Sequence, residues 1–266
     1  MLSKLSLGII SIATNGYIKY WESMVDSANK NLIDKSRVTF HLFTDDYEEA
    51  NIFSKNYSDF SFKFYTIESL KWPEATLHRY RIYSEFSNHF SESHLMHLDS
   101  DMLINEDFLE HIFSNPEDLS MRLVNHPGFF RPNGLRRITY YFKSPVQLVG
   151  DLRMYLVQGG LGAWENRVDS TAYVPREKRK SYFCGGVWFG ARASFISMVK
   201  ELEITERKDS ELGVMAVWHD ESHLNNWAIK NRHVSCPPSL CFDARYRNLD
   251  GLRNLITAVD KGNSQR

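Results

Sequence analysis

Two stretches of this chain gather side chains suited to chemistry. In Ala216-Val217-Trp218-His219-Asp220-Glu221-Ser222-His223-Leu224-Asn225, adjacent carboxylates stand between two imidazoles and next to an indole. A solvated helix face rarely carries Trp and two His among its acids, and a core face rarely carries Asp-Glu. The second stretch, His97-Leu98-Asp99-Ser100-Asp101-Met102, sets an Asp-x-Asp at the end of an apolar run. Hard oxygen ligands on a short turn suit Mg2+ or Mn2+. Along an extended segment, both aspartates would point to one side and share an ion, or divide into a metal ligand and a ribose ligand. A divalent cation bridging a diphosphate neutralises charge on a departing nucleotide. A carboxylate beside an oxocarbenium-like centre supports sugar transfer. Together the stretches imply metal-dependent chemistry on a phosphorylated sugar donor.

Each stretch also has a plainer interpretation. Asp99-Ser100-Asp101 could be a solvated turn. Asp220 could cap a helix running through Asn231, with His219 and His223 in structural hydrogen bonds and Trp218 packed in a core. A third stretch, Tyr182-Phe183-Cys184-Gly185-Gly186-Val187-Trp188-Phe189-Gly190, is a strand whose paired glycines admit a close neighbour or form a bulge.

The surrounding pattern alternates strand and helix. Strands are expected at 5–12, 38–43, 60–67 and 93–98. Helices are expected over Ile18 to Leu32, Leu77 to Phe90, Ala193 to Leu202, and Leu212 through Ile229. Alternation of this kind implies a mainly parallel sheet with helices on both faces, and ligands at the carboxyl ends of its strands. Residues 129–163 interleave bases with aromatics and carry five glycines, and are expected to form a loop-rich excursion beside the site. Single-stranded nucleic acid could use such a pattern, but a loop shaping an acceptor pocket suits it better.

Composition is that of an ordinary globular protein, with 266 residues, 42% hydrophobic and 24% charged. The net charge of -1 gives no global attraction to nucleic acid or an anionic membrane. Cys184, Cys236 and Cys241 are too few for a disulfide framework and fit a reducing, cytoplasmic setting. Cys236 and Cys241 could pair, bind metal or be unrelated thiols. No apolar run approaches the roughly 20 residues that span a bilayer.

The motifs also resemble those of the family-six glycosyltransferases, the family of the ABO blood-group transferases and α-1,3-galactosyltransferase. The likeness is carried by His97 to Met102, His126-Pro127-Gly128-Phe129, Ala172-Tyr173-Val174-Pro175, the 182–190 strand and Val217 to Asn225. Ser11 to Tyr17 and Thr257-Ala258-Val259 with Lys261 add to it. It covers nearly the whole chain outside 129–163.

The resemblance implies one GT-A domain, an α/β fold with a Rossmann-like, mainly parallel mixed sheet. Residues 1–105 would be the nucleotide-binding half, 106–261 the acceptor-binding and catalytic half, and 262–266 a mobile tail. It implies a retaining, Mn2+ (or Mg2+) dependent hexosyltransferase moving GalNAc or Gal from a UDP-sugar to a β-galactoside in α-1,3 linkage. Asp99 and Asp101 would hold metal and, with Ser100, the UDP diphosphate. Ile12, Ala13 and Tyr17 fall where the family holds uridine, and Arg79 matches a donor-touching arginine. Cys184, Gly185 and Gly186 fall at the donor sugar, and glycine at 186 leaves room for an N-acetyl group. His219 and Asp220 match donor-sugar contacts, and Lys261 matches a basic residue closing over the diphosphate. His126 and Trp218 match acceptor contacts, and Glu221 the carboxylate beneath the anomeric carbon, touching the acceptor too. The chain is expected to depart from the vertebrate members in lacking an N-terminal anchor and stem, and from the bacterial members, which have Asn-x-Asn, in keeping both aspartates. A β-galactoside-binding protein on a degenerate transferase fold is the alternative. A sugar nucleotidyltransferase is disfavoured by the lack of a glycine-rich basic phosphate loop near the first strand.

Overall fold

The computed structural model describes residues 5–114, 118–243, 245 and 253–259. Lys261 and the expected tail lie outside them. The chain opens with β1 (Leu7–Ala13), α1 (Ile18–Asn31), β2 (Val38–Thr44), α2 (Tyr47–Ser54) and β3 (Ser61–Thr66). Next come α3 (Glu74–Leu77), α4 (Arg79–Glu85), β4 (His94–Leu98), β5 (Met102–Ile104), α5 (Leu109–Phe113) and β6 (Met121–Asn125). The remainder is α6 (Leu135–Lys143), α7 (Pro145–Gln158), β7 (Phe183–Ala191), α8 (Arg192–Glu211), α9 (His219–Ala228), β8 (His233–Cys236) and β9 (Ile256–Ala258).

Among the described residues the central sheet runs β3-β2-β1-β4-β7-β6-β8, and β5 pairs with β9 apart from it. β1, β2, β3 and β4 are parallel. β7 runs antiparallel to both β4 and β6, and β8 is parallel to β6. This is the expected mixed α/β sheet. β2 and β4 are buried throughout, as strands covered on both faces require, while β1 and β7 are partly exposed only at Ile12 and Gly186.

Alternate side chains feed two cores. Leu7 and Ile9 of β1 pack with Trp21, Met24 and Val25 of α1, while Ile10 packs with Tyr80 and Tyr83 of α4 and with Phe195 and Met198 of α8. Because β7 reverses direction, its first residues lie beside the last residues of β4, with Leu98 opposite Val187. That reversal is what brings sequence positions 99 and 186 together. No helix of the described residues is long and apolar enough to cross a membrane.

Three expectations need correction. The segment 129–163 is not loop-rich: α6 and α7 form a helical hairpin. Its glycines bracket helices more than they break them. Gly134 precedes α6 with φ +60°, and Gly159 closes α7 in the left-handed region with φ +81°. Gly150 lies within α7 and does not end it. The last long helix starts at His219, not Leu212, because Gly213 turns the chain with φ +68° and Trp218 stands at the N-cap. The helix expected over 77–90 is confined to Arg79–Glu85.

Candidate functional site

Asp99 follows β4, and its N–H donates to Gly186 O of β7 at 3.0 Å. Met102 N–H then returns to Asp99 O at 3.2 Å, so Asp99-Ser100-Asp101 is a tight turn and not an extended segment. Turn geometry, and not the strand pleat, sets the two aspartates. Ser100 is buried, and Asp101 O accepts from Val259 N–H at 2.8 Å, drawing the β9 end of the chain to the turn.

The glycine pair of β7 faces this turn on one side and α9 on the other. A Cβ at Gly186 would lie 2.8 Å from Asp99 Oδ2 and 2.9 Å from Met102 Cε. A Cβ at Gly185 would lie 3.1 Å from both Asp220 Oδ2 and Glu221 Cβ. Gly186→Ala is therefore expected to displace the Asp99 carboxylate and destabilise by about 1–3 kcal/mol, read as a lowered thermal midpoint. An unchanged midpoint would show that Asp99 can yield freely.

Arg79, buried at the start of α4, ties the site together. Its guanidinium donates to Asp99 Oδ1 at 2.9 Å, to Gly185 O at 3.1 Å and to His97 Nε2 at 2.8 Å. It also lies 3.0 Å from Asp220 Oδ2, but the alignment is not that of a hydrogen bond, so this buried oxygen has no hydrogen-bond donor. Since Arg79 can only donate, His97 Nε2 accepts and the His97 proton sits on Nδ1, 2.9 Å from the Tyr83 hydroxyl. Burial and the neighbouring Arg79 hold His97 down to about 4, so it is neutral.

Glu221 and Asp220 occupy the first turn of α9. Asn225 fixes that helix against β7, with Phe183 N–H donating to its Oδ1 at 2.8 Å and its Nδ2 donating to Phe183 O at 2.9 Å. Gly185 N–H donates to Glu221 Oε2 at 2.7 Å, and Tyr182, whose hydroxyl donates to Ala163 O at 3.3 Å, lies close enough to favour the ionised carboxylate. The Tyr80 hydroxyl donates to Asp220 O at 3.0 Å. Burial pushes Glu221 up to about 7, opposed by the Gly185 hydrogen bond and by Tyr182. Burial likewise pushes Asp220 up to about 7, with Arg79 opposing and Asp99 and Glu221 reinforcing. One guanidinium among three carboxylates cannot neutralise them all. The site therefore carries surplus negative charge suited to a cation or an electron-poor carbon.

Around this cluster, His219 holds φ +45°, a strained conformation for a bulky residue. Its ring lies 5.5 Å from Trp72, and its Nδ1 is 3.4 Å from Thr76 Oγ1. Trp218 is half exposed beside it. His126 follows β6 and packs against Phe129 and Tyr182. Gly128 N–H donates to its Nδ1 at 3.1 Å, placing its proton on Nε2, and burial holds it down to about 4. Ile12, Ala13 and Tyr17 lie at the end of β1 and the start of α1, on the strand edge where β4 ends. Cys184 is buried in the core with Sγ 3.9 Å from Val187 O, and all three cysteines are free. His223 is not brought to the cluster; it is buried 3.6 Å from Asp209.

Tyr182, Tyr83, Tyr80, Thr76 and Trp72 escaped the sequence reading as site residues. The aromatic run around 182 was a signal for Tyr182 alone; the rest are joined to the site only by the fold.

Asp99 and Asp101 offer hard carboxylate oxygens, the donor type of Mg2+ and Mn2+. Among the described residues no three His, Cys, Asp or Glu form a metal cluster.

The model of the family described as Glycosyltransferase family 6 matches residues 1–141 and 146–266. The chain is 25% identical over 240 residues to the histo-blood group ABO system transferase 1 of Rattus norvegicus, covering 87% of this chain and 59% of that protein. It is 24% identical over 240 residues to transferase 2 of the same system, covering 87% of this chain and 61% of that protein. It is 23% identical over 226 residues to the globoside alpha-1,3-N-acetylgalactosaminyltransferase 1 of Gallus gallus, covering 83% of this chain and 57% of that protein. The chain thus spans about three-fifths of the length of the curated relatives it matches.

Proposed function

The chain belongs to glycosyltransferase family 6, and from that premise we propose that it is a retaining hexosyltransferase moving GalNAc or galactose from a UDP-sugar to a β-galactoside in α-1,3 linkage. The observation that carries this reading is the placement of Glu221 and Asp220 against Gly185, with Arg79 joining Asp220 to Asp99 across the strand edge. Three carboxylates around one cation can stabilise the positive charge that develops on a sugar losing its nucleotide.

In this reading residues 1–105 bind nucleotide, through Ile12, Ala13 and Tyr17 for uridine and Asp99, Ser100 and Asp101 for the diphosphate. A bound Mn2+ or Mg2+ would neutralise charge on the UDP leaving group. Asp220 Oδ2, buried without a hydrogen-bond donor, accepts from a donor-sugar hydroxyl, and His219 lies beside it. Glu221 faces the anomeric carbon. Its Oε2 is oriented by Gly185 N–H, so it needs no rearrangement as charge develops. His126 offers its Nε2 proton to an acceptor hydroxyl, and Trp218 offers an apolar wall. Residues 106–261 form this acceptor and catalytic half. A cytoplasmic location belongs to the same proposal, supported by three unpaired cysteines.

Gly186 leaves room for an N-acetyl group and inclines this reading toward UDP-GalNAc, while a Cβ there would also press on Asp99 Oδ2 at 2.8 Å and Met102 Cε at 2.9 Å. The test is UDP release from UDP-GalNAc and from UDP-galactose, with Mn2+ or with EDTA, with and without a β-galactoside. Release that needs metal and rises with acceptor is the expected result. UDP binding without turnover in any combination would favour a binding protein on a transferase fold.

A further inference from the structure

The helical hairpin of α6 and α7 turns its apolar side away from the protein. Along α6, Leu135, Ile138 and Phe142 recur at three- and four-residue spacing, and Leu135 and Phe142 are 82% and 84% exposed. Along α7, Val146, Val149 and Leu156 lie on the outer side, with Val146 84% and Leu156 80% exposed. The inner side is polar. Asp151 is buried and bound by Arg131 Nε at 2.6 Å, Arg131 Nη2 at 2.8 Å, the Tyr141 hydroxyl at 2.8 Å and Gln147 Nε2 at 2.8 Å. A hairpin meant to stand in water has the reverse arrangement. Contiguous exposed apolar surface of this kind marks a docking surface.

The charges select its occupant. From Arg131 to Gln158 the chain carries five cations, Arg131, Arg136, Arg137, Lys143 and Arg153, against Asp151 alone, although the whole chain is at -1. With Arg131 spent on Asp151, the outward charge is basic. Arg136, Arg137 and Arg153 are exposed on the same helices as the apolar stripe. An amphipathic surface with apolar residues flanked by arginines fits the interface of an anionic bilayer, where the apolar side chains enter the acyl boundary and the cations meet headgroup phosphates. A second copy docked on this face would set arginine against arginine.

We propose that the α6–α7 hairpin is a membrane-docking surface that binds anionic lipid bilayers from one side without crossing them. The near-neutral charge of the whole chain conceals it. Arg131 also donates to Gly128 O at 3.0 Å and Phe130 O at 2.7 Å, so docking would hold the loop that carries His126 near the lipid. The proposal does not depend on the transferase reading.

The test is flotation of the full chain with vesicles of phosphatidylcholine alone and with roughly one part in four phosphatidylglycerol. The protein is expected to float with the mixed vesicles only, and less so as salt rises. Phe142→Ser with Leu156→Ser should weaken binding by about tenfold or more. Arg136→Gln and Arg153→Gln should each weaken it about fivefold. All four side chains are exposed, so the thermal midpoint should hold. No flotation with the mixed vesicles would overturn the proposal, as would flotation unchanged in both the apolar and the arginine variants. Absence of flotation from a concentration-dependent dimer that Phe142→Ser with Leu156→Ser dissociates would assign the face to a second copy instead.

Discussion

Glu221→Gln is expected to reduce sugar transfer by about a thousandfold while UDP binding stays close to that of the native protein, and to make the protein more stable above neutral pH. The first effect follows from geometry. Glutamine keeps an oxygen to accept from Gly185 N–H, so the shape of the site survives. What it loses is the negative charge that faces developing positive charge at the sugar. The second effect follows from the cost of that charge. Burial raises both Glu221 and Asp220 to about 7. The folded protein therefore binds protons that the unfolded chain releases near the ordinary carboxylate values. The associated stability is fully present below those values and is lost as pH rises through about 7. Removing one titrating group by Glu221→Gln should flatten that decline, giving a gain of about 1–3 kcal/mol at pH 8 and little at pH 5. Urea unfolding at the two pH values, beside initial rates of transfer, measures both effects. Transfer near native rates would remove Glu221 from the mechanism, and an unchanged stability profile would show that the carboxylate is not strained.

Arg79→Ala is expected to be the most damaging substitution in the site, destabilising by about 3–5 kcal/mol. Arg79 is buried and lies against Asp99, Asp220, His97 and Gly185 O at once. Burial alone would disfavour its charge, but Asp220 and Asp99 more than restore it, so it stays above the ordinary arginine value. Without it, Asp220 and Asp99 repel each other with no cation between them. At roughly 2–4 °C for each kcal/mol in a protein of this size, the thermal midpoint should fall by about 10 °C. The loss should shrink toward pH 5, where Asp220 takes up a proton and no longer needs a partner. Unfolding free energies of native and variant at pH 5 and pH 8 test this; an equal loss at both would mean that Arg79 acts by packing alone. UDP-sugar binding should fail in the variant as well, since Asp99 loses the contact that orients it.

The sequence pattern was clearest where burial is complete. β1, β2 and β4 were legible because both their faces are covered, which forces mostly apolar runs whose few polar members, such as His41 and His97, are themselves buried. The Asp-x-Asp and the Asp-Glu pair were legible as chemistry because neither core nor surface explains their neighbours. What could not be read was their meeting point. It depends on β7 running back along β4, and on a guanidinium some 20 to 140 positions from its partners. Arg79 was expected only to touch the donor; in the fold it is a strut between carboxylates. The hairpin was missed for a different reason. Its apolar stripe faces outward, its polar residues face one another, and Gly150 lies within a helix, so the usual signs of amphipathic burial are inverted.

The central claim is that Asp220 and Glu221 support transfer with retention at the anomeric carbon. Its most direct test is the configuration of the new linkage, read by proton NMR of the product made from a UDP-α-sugar and a β-galactoside. An α-linked product is expected. A β-linked product would mean a single inverting displacement, and would contradict the role given to Glu221.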